Sequence, residues 1–147
     1  MRHLIVAAMV VLTACASRGD SDDPEVNSPS DLIGDWSGSL QAVGNSGVGG
    51  SVNVVSAVAG SRASVSITGA AAGAHHPWHV HQGTCGSGGA IVGGAGSYPA
   101  LHVSTDGTAS ASATISVALH DEAAYHVNVH RSPTELGTII ACARIRN

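Results

Sequence analysis

The chain has 147 residues, and its net charge of −4 without basic clusters argues against nucleic acid as a partner. Its 44% hydrophobic and 11% charged residues exclude intrinsic disorder, and its length fits one domain. Gly, Ser, Val and Thr are frequent whereas Lys is absent, which disfavours a helical bundle. The unusual feature is the presence of nine histidines in so weakly charged a chain.

The N-terminus has the pattern of an export signal. The apolar run 4–12 is too short to span a bilayer, which needs about 20 residues, and is typical of a secretory signal. It ends in Leu12-Thr13-Ala14-Cys15, which resembles the bacterial lipobox, where the signal is cut before the Cys and the Cys is acylated. We expect residues 1–14 to be a lipoprotein signal peptide and Cys15 to be lipidated. An ordinary signal peptide with a chance Cys is the alternative.

Residues 15–35 show no apolar period, and Ser and Pro are frequent among them. We expect a lipidated Cys followed by an acidic, flexible tether that holds a folded domain off a membrane. A metal site built from the acids is the alternative. Six of the ten acidic residues of the chain lie here, namely Asp20, Asp22, Asp23, Glu25, Asp31 and Asp35.

From residue 36 onward, apolar and polar residues alternate between Gly-rich breaks. In residues 109–119, Ala, Ile, Val and Leu alternate with Ser and Thr, as in a strand with one buried face. Asp106-Gly107 before this segment is a hairpin signal. About eight short strands predict an all-β antiparallel sandwich or barrel over residues 36–147. The other main candidate strands are 36–43, 48–56, 78–82, 101–104, 125–130 and 138–144.

Two cysteines, Cys85 and Cys142, remain when the predicted lipidation site is set aside. An exported protein reaches an oxidising compartment, so one disulfide between them is the default. Two free buried thiols are the alternative.

The histidines carry the predicted chemistry. His79 and His81 share one face of a strand because residues two apart point the same way, and His130 lies at the end of another strand. Two imidazoles from one strand and one from a neighbour make a three-nitrogen metal site, which suits copper or zinc. His79, His81 and His130 are therefore the predicted metal ligands. A polar strand face that carries histidines without a metal is the alternative.

The other histidines are weaker candidates. His102 on a polar strand face, and His76 with its neighbour His75, are candidates for a further ligand. His126 lies four residues from His130, about 13 Å along an extended strand, so we expect a supporting or surface group. His120 precedes two acids, which is typical of a turn.

Several motifs together resemble the copper–zinc superoxide dismutases. In that family a Gly-rich turn leads into a His-Val-His strand, followed by a Gly and a Cys. The resemblance covers about residues 47–147 and implies a Greek-key barrel of eight strands, with copper on the predicted histidines. It also implies the Cys85–Cys142 disulfide. The main matching segments are Gly73-Ala74-His75-His76-Pro77-Trp78-His79-Val80-His81 with Gly83 and Cys85, Val129-His130, and Ile140-Ala141-Cys142.

The chain also departs from that family. Residues 86–98, where the family has its bridging and zinc ligands, contain neither His nor Asp, so we expect no zinc site. Ile139 stands where the family has an Arg that attracts superoxide, and Arg131 is the candidate substitute for steering the anion. Residues 125–130 also resemble the chordin-type (CHRD) domain, a β module.

These observations predict an exported lipoprotein of the bacterial cell envelope, facing the periplasm or the exterior. The resemblance implies a copper site that converts superoxide to oxygen and hydrogen peroxide through Cu(II)/Cu(I) cycling. A non-catalytic periplasmic copper-binding or copper-buffering lipoprotein is the main alternative, and a zinc hydrolase or a metal-free CHRD-like module also stays open. The expected partners are superoxide or copper ions and a membrane reached through Cys15, and the small apolar faces permit a homodimer.

Overall fold

A computed structural model describes residues 31–147, so the predicted signal peptide, Cys15 and residues 16–30 lie outside the described residues. The described part of the protein is all-β, with 51% of residues 31–147 in strands, which confirms the predicted fold class. Among residues 31–147 no helix is long and apolar enough to cross a membrane. The elements are β1 (Leu32–Ala42), β2 (Gly49–Ala57), β3 (Gly60–Thr68), β4 (His75–His76), β5 (Trp78–Gln82), a short 3-10 turn (Ala95–Ser97), β6 (Leu101–His102), β7 (Ala109–Ile115), β8 (Tyr125–His130) and β9 (Ile139–Ile145).

Seven strands form one antiparallel sheet in the order β5-β8-β9-β1-β2-β3-β7, which curls into a half-barrel. The strands β1, β2 and β3 form a meander, and β9 returns to pair with β1, which is the Greek-key order. The short strands β4 and β6 pair separately. This topology places β5 beside β8, although more than 40 residues separate them, and so joins the two histidine-bearing strands.

The alternation predicted from the sequence is visible in β3 and β7. Val65, Ile67 and Ala113 are buried, whereas the serines between them face outward. Across the two strands the hydroxyls of Ser64 and Ser112 lie 2.9 Å apart and hydrogen bond. Hydroxyl pairs outside and aliphatic pairs inside therefore set the register of this edge of the sheet.

Two strand ends differ from the sequence prediction by four residues each. The ladder of β7 ends at Ile115 instead of residue 119, because the buried Ser56 hydroxyl accepts a hydrogen bond from the Leu119 N–H at 2.8 Å. The Ser56 side chain thus provides a hydrogen bond that a neighbouring strand would otherwise provide. At the same end of the sheet, β1 begins at Leu32, which pairs with Ala57, so residues 32–35 of the predicted tether belong to the sheet.

The core fixes the position of β5. Trp78 and Val80 are fully buried on its inner face. The Trp78 Nε1–H donates a hydrogen bond to the carbonyl of Pro99 at 2.8 Å, and its ring packs edge-on against Tyr98 at 5.1 Å. Since side chains alternate along a strand, burial of these two residues directs His79 and His81 to the opposite face.

Candidate metal centre

Three buried histidines meet on the face of the sheet opposite the core. His79 and His81 come from β5, and His130 ends β8. In the antiparallel register His79 lies opposite Asn128, two residues from His130, so the two rings are diagonal neighbours. One ligand atom of each histidine lies within 4.8 Å of the others, a group that could hold a metal ion. The predicted convergence of these three residues is confirmed.

Backbone carbonyls determine which ring nitrogens face each other. His81 Nδ1 lies 2.7 Å from the carbonyl oxygen of Gly89, and His130 Nδ1 lies 2.6 Å from that of Leu136. A carbonyl can only accept, so each Nδ1 carries the proton and each Nε2 keeps a lone pair. This arrangement is typical of metal-binding histidines, whose other ring N–H donates to a carbonyl or carboxylate.

His79 completes the cluster with Nδ1, whereas His81 and His130 contribute Nε2. His79 Nδ1 lies 3.0 Å from His130 Nε2. The buried His81 Nε2 has no hydrogen-bond partner, which is unfavourable unless a ligand uses it. The donor set therefore fits a metal ion on His79 Nδ1 and on the Nε2 atoms of His81 and His130.

The electrostatics favour the neutral form of His79 and His130. Burial, together with repulsion from the neighbouring His130 and His81, lowers the pKa of His79 to about 4. Burial also lowers the pKa of His130, although its hydrogen bond to Leu136 acts in the opposite direction. Neutral imidazoles are the form that binds a metal, so His79 and His130 need little deprotonation at neutral pH.

Tyr98 supports the third ring from the side. Its ring packs edge-on against His79 at 5.3 Å, and its hydroxyl donates to the carbonyl of Val92 at 2.7 Å. Burial raises the pKa of Tyr98 to about 12, so the hydroxyl stays protonated as a donor. The aromatic pair holds His79 in the orientation that the cluster uses.

A cavity of about 550 Å³ adjoins the cluster and is lined by His81, His130 and Asn128 together with loop residues. The disulfide Cys85–Cys142 forms part of its wall, with a Cα–Cα distance of 6.0 Å, and confirms the predicted pairing. The disulfide thereby ties the loop after β5 to β9.

Arg131, the candidate for anion steering, lies elsewhere. It is exposed and lines a different cavity, of about 520 Å³, together with His76 and Ile140. Ile139 lines both cavities, and its aliphatic side chain brings no charge to either. Whether Arg131 attracts an anion stays a prediction.

Two further buried histidines support the centre without belonging to the three-histidine group. His126 is fully buried, stacks on His81 with ring centroids 5.2 Å apart, and lies 3.3 Å from the amide of Asn128. His76 directs Nδ1 at the backbone carbonyls of Arg131 (2.8 Å) and His130 (3.1 Å). Both therefore brace the backbone or ring of a ligand, as the sequence reasoning expected for His126 alone.

The remaining predicted candidates lie away from the group. His102 is exposed on β6 and packs against His75 on β4, not against the three ligands. His120 is exposed, and its carbonyl accepts a hydrogen bond from Ala123 at 3.2 Å, as expected for a turn. The structure thus places neither His76 nor His102 among the grouped ligand atoms of residues 31–147.

Sequence reasoning missed the carbonyls of Gly89 and Leu136 and the packing of Tyr98. A carbonyl belongs to every residue, so no residue type marks the two that hold the imidazoles. No sequence signal pointed to Tyr98.

Comparison of the chain with protein-family models and with curated proteins finds no match.

We expect Gly89→Ala to weaken both the fold and the site. A Cβ at this position would lie 1.8 Å from the carbonyl oxygen of Gln82, so the backbone that holds the His81 imidazole must move. Overpacking of this kind costs about 1–3 kcal/mol, and losing the support of a ligand lowers metal affinity about 10–100-fold. Thermal unfolding and competition with a chelator measure the two effects.

Gly96→Ala is the matched control for this substitution. A Cβ at Gly96 meets no atom within 4 Å, and the residue has no positive φ. We expect stability and metal affinity close to those of the native chain. Equal behaviour of the Gly89 and Gly96 variants would show that the Gly89 carbonyl does not position His81.

Proposed function

We propose that the three-histidine centre holds one copper ion and that the protein is superoxide dismutase-like. The proposal rests on one observation above all. His79, His81 and His130 each place one ring nitrogen within 4.8 Å of the others, and backbone carbonyls set the proton position in the rings of His81 and His130. An all-imidazole set suits copper, and the thiols of Cys85 and Cys142 are taken up by the disulfide.

A bound copper ion would supply one-electron chemistry, passing between Cu(II) and Cu(I). Two superoxide anions and two protons then give one oxygen and one hydrogen peroxide. The chain's own part is to hold three imidazoles in place and to admit a small anion. The cavity beside His81 and His130 provides the approach. The prediction that no zinc site is present stays a prediction, which metal analysis tests.

A second function, copper binding or buffering without turnover, is favoured by the charge of the same cavity. Steering of superoxide needs a positive field at the approach to the metal. Arg131 lines the other cavity. The cavity beside His81 and His130 is lined by no Lys, Arg, Asp or Glu. Its lining residues are Val43, His81, Cys85, Gly86, Gly88, Asn128, His130, Leu136, Gly137, Ile139 and Cys142.

The test is metal analysis, EPR and superoxide decay on the copper-loaded full chain. The enzyme proposal expects one copper per chain, nitrogen hyperfine structure and decay faster than with an equal concentration of free copper. His130→Ala should remove the tightly bound copper, its nitrogen hyperfine structure and the superoxide decay above that of free copper. One tightly held copper with no decay above free copper would overturn the enzyme proposal and support buffering. A chain that takes up no copper would overturn both.

We also propose that the protein is exported and anchored to the bacterial envelope through an acylated Cys15. The support is the sequence pattern Leu12-Thr13-Ala14-Cys15 after a short apolar run. We expect Cys15→Ser to move the protein out of the membrane fraction, with Ser17→Ala as the control. Unchanged membrane association of the Cys15 variant would contradict lipid anchoring.

A further inference from the structure

His75 and His102 form a pair of imidazoles on the surface, apart from the three-histidine centre. They are directly opposite each other in the antiparallel pair of β4 and β6, and both are exposed. Their ring centroids lie 4.3 Å apart in an edge-on arrangement. The two rings therefore touch at a position where solvent has access to both.

The backbone that carries this pair is held firmly. His76 and Leu101, the other members of the two strands, are buried on the inner side. Beyond them the Gly73 N–H donates to the Val103 carbonyl and the Val103 N–H to the Ala74 carbonyl, each at 2.9 Å. Since neighbouring residues of a strand point to opposite sides, burial of the inner residues keeps the two exposed imidazoles together.

We propose that His75 and His102 form a second metal site, which binds one divalent transition-metal ion at the surface. Two nitrogens that each lie about 2.0–2.1 Å from one ion can be at most about 4 Å apart, a distance that touching rings reach by side-chain rotation. Water completes the coordination because both rings are exposed. Imidazole nitrogens favour Cu(II), then Zn(II) and Ni(II), in this kind of site.

The surface site differs from the three-histidine centre in its affinity for the ion and in the rate at which the ion exchanges. Its two ligands face solvent, so the ion exchanges quickly and binds more weakly than an ion held by three buried imidazoles. It does not use any atom of the buried centre, and the inference holds whether or not the proposed dismutase activity exists.

Zn(II) titration of the full chain tests the inference. The titrated chain carries His79→Ala and His81→Ala, so that His130 is the one imidazole left of the buried three-histidine centre. We expect one equivalent of Zn(II) to remain bound, with the ring signals of His75 and His102 shifting together in NMR spectra. His75→Gln or His102→Gln in this chain should each weaken binding on the order of 10²-fold, because the second ligand no longer acts intramolecularly.

His120→Gln is the control, since His120 is also exposed but lies alone in a turn. Its binding should match that of the parent chain. Retention of the bound equivalent in either the His75 or the His102 variant would overturn the inference, and so would an equal loss in the His120 variant. Each of these substitutions replaces an exposed histidine with a polar residue of similar size. Circular dichroism should therefore show an unchanged fold in the His75, His102 and His120 variants.

Discussion

Replacing His130 with alanine will abolish tight copper binding. The substitution removes one of three converging nitrogens, so only His79 and His81 would be left to hold the ion. Four-ligand structural zinc sites bind with about 10–16 kcal/mol, so one ligand is worth roughly 3 kcal/mol. We therefore expect the copper affinity to fall by at least about 10²-fold, as measured by competition with a chelator of known affinity.

His120→Ala controls for the loss of any imidazole, because this exposed residue lies in a turn away from the centre. Circular dichroism and thermal unfolding show whether the His130 variant keeps its fold. A folded His130→Ala chain with native copper affinity would contradict the assigned ligand set. A comparable loss in the His120 variant would place the copper elsewhere on the chain.

EPR separates loss of a ligand from loss of the fold. Cu(II) on three imidazoles gives superhyperfine structure from three nitrogens. A folded His130→Ala chain that is made to bind copper at high concentration should show superhyperfine structure from fewer nitrogens. His79→Ala and His81→Ala should behave alike because each supplies one nitrogen. Identical spectra of the native chain and all three variants would contradict a shared centre.

The sequence predicted the three-histidine cluster because part of its arrangement follows from local geometry. His79 and His81 share a face through the period of two, and the alternation in 109–115 revealed a half-buried strand. What the sequence could not supply is the register between strands that are distant in the chain. Only that register makes His130 the diagonal neighbour of His79 and places His126 opposite His81.

The parts of the site that sequence reasoning missed depend on tertiary contacts of the loops. Gly89 and Leu136 act through carbonyl oxygens, and their side chains carry no sign of that role. His102 and His75 look like candidate ligands from their strand positions, yet their backbone pairs them with each other. The strand ends at Leu32 and Ile115 likewise depend on partners far away in the chain.

Removing the disulfide will cause the largest loss of stability among the changes considered. Cys85 and Cys142 are 57 residues apart, and in the chain-entropy model closing a loop of that length stabilises the native state by about 4 kcal/mol. We expect Cys85→Ser with Cys142→Ser to lower the free energy of unfolding by that amount. For a domain of this size the midpoint of thermal unfolding should fall by roughly 15 °C.

Cys15→Ser is the matched control, because it removes a cysteine that lies outside the described residues and is unpaired in the predicted scheme. Its stability in chemical denaturation should match that of the native chain. Reduction of the native chain should reproduce the double variant. A double variant that unfolds within about 1 kcal/mol of the native chain would show that the disulfide adds little to the fold.

The same double variant should also bind copper less tightly, for a structural reason. Cys85 and Cys142 form part of the wall of the cavity beside His81 and His130. The disulfide anchors the loop whose Gly89 carbonyl accepts the His81 Nδ1–H. A loop freed at this point holds the imidazole less firmly, so affinity should fall about 10–100-fold, the range for loss of a ligand's support. Native copper affinity in the folded double variant would show that Gly89 keeps its place without the disulfide.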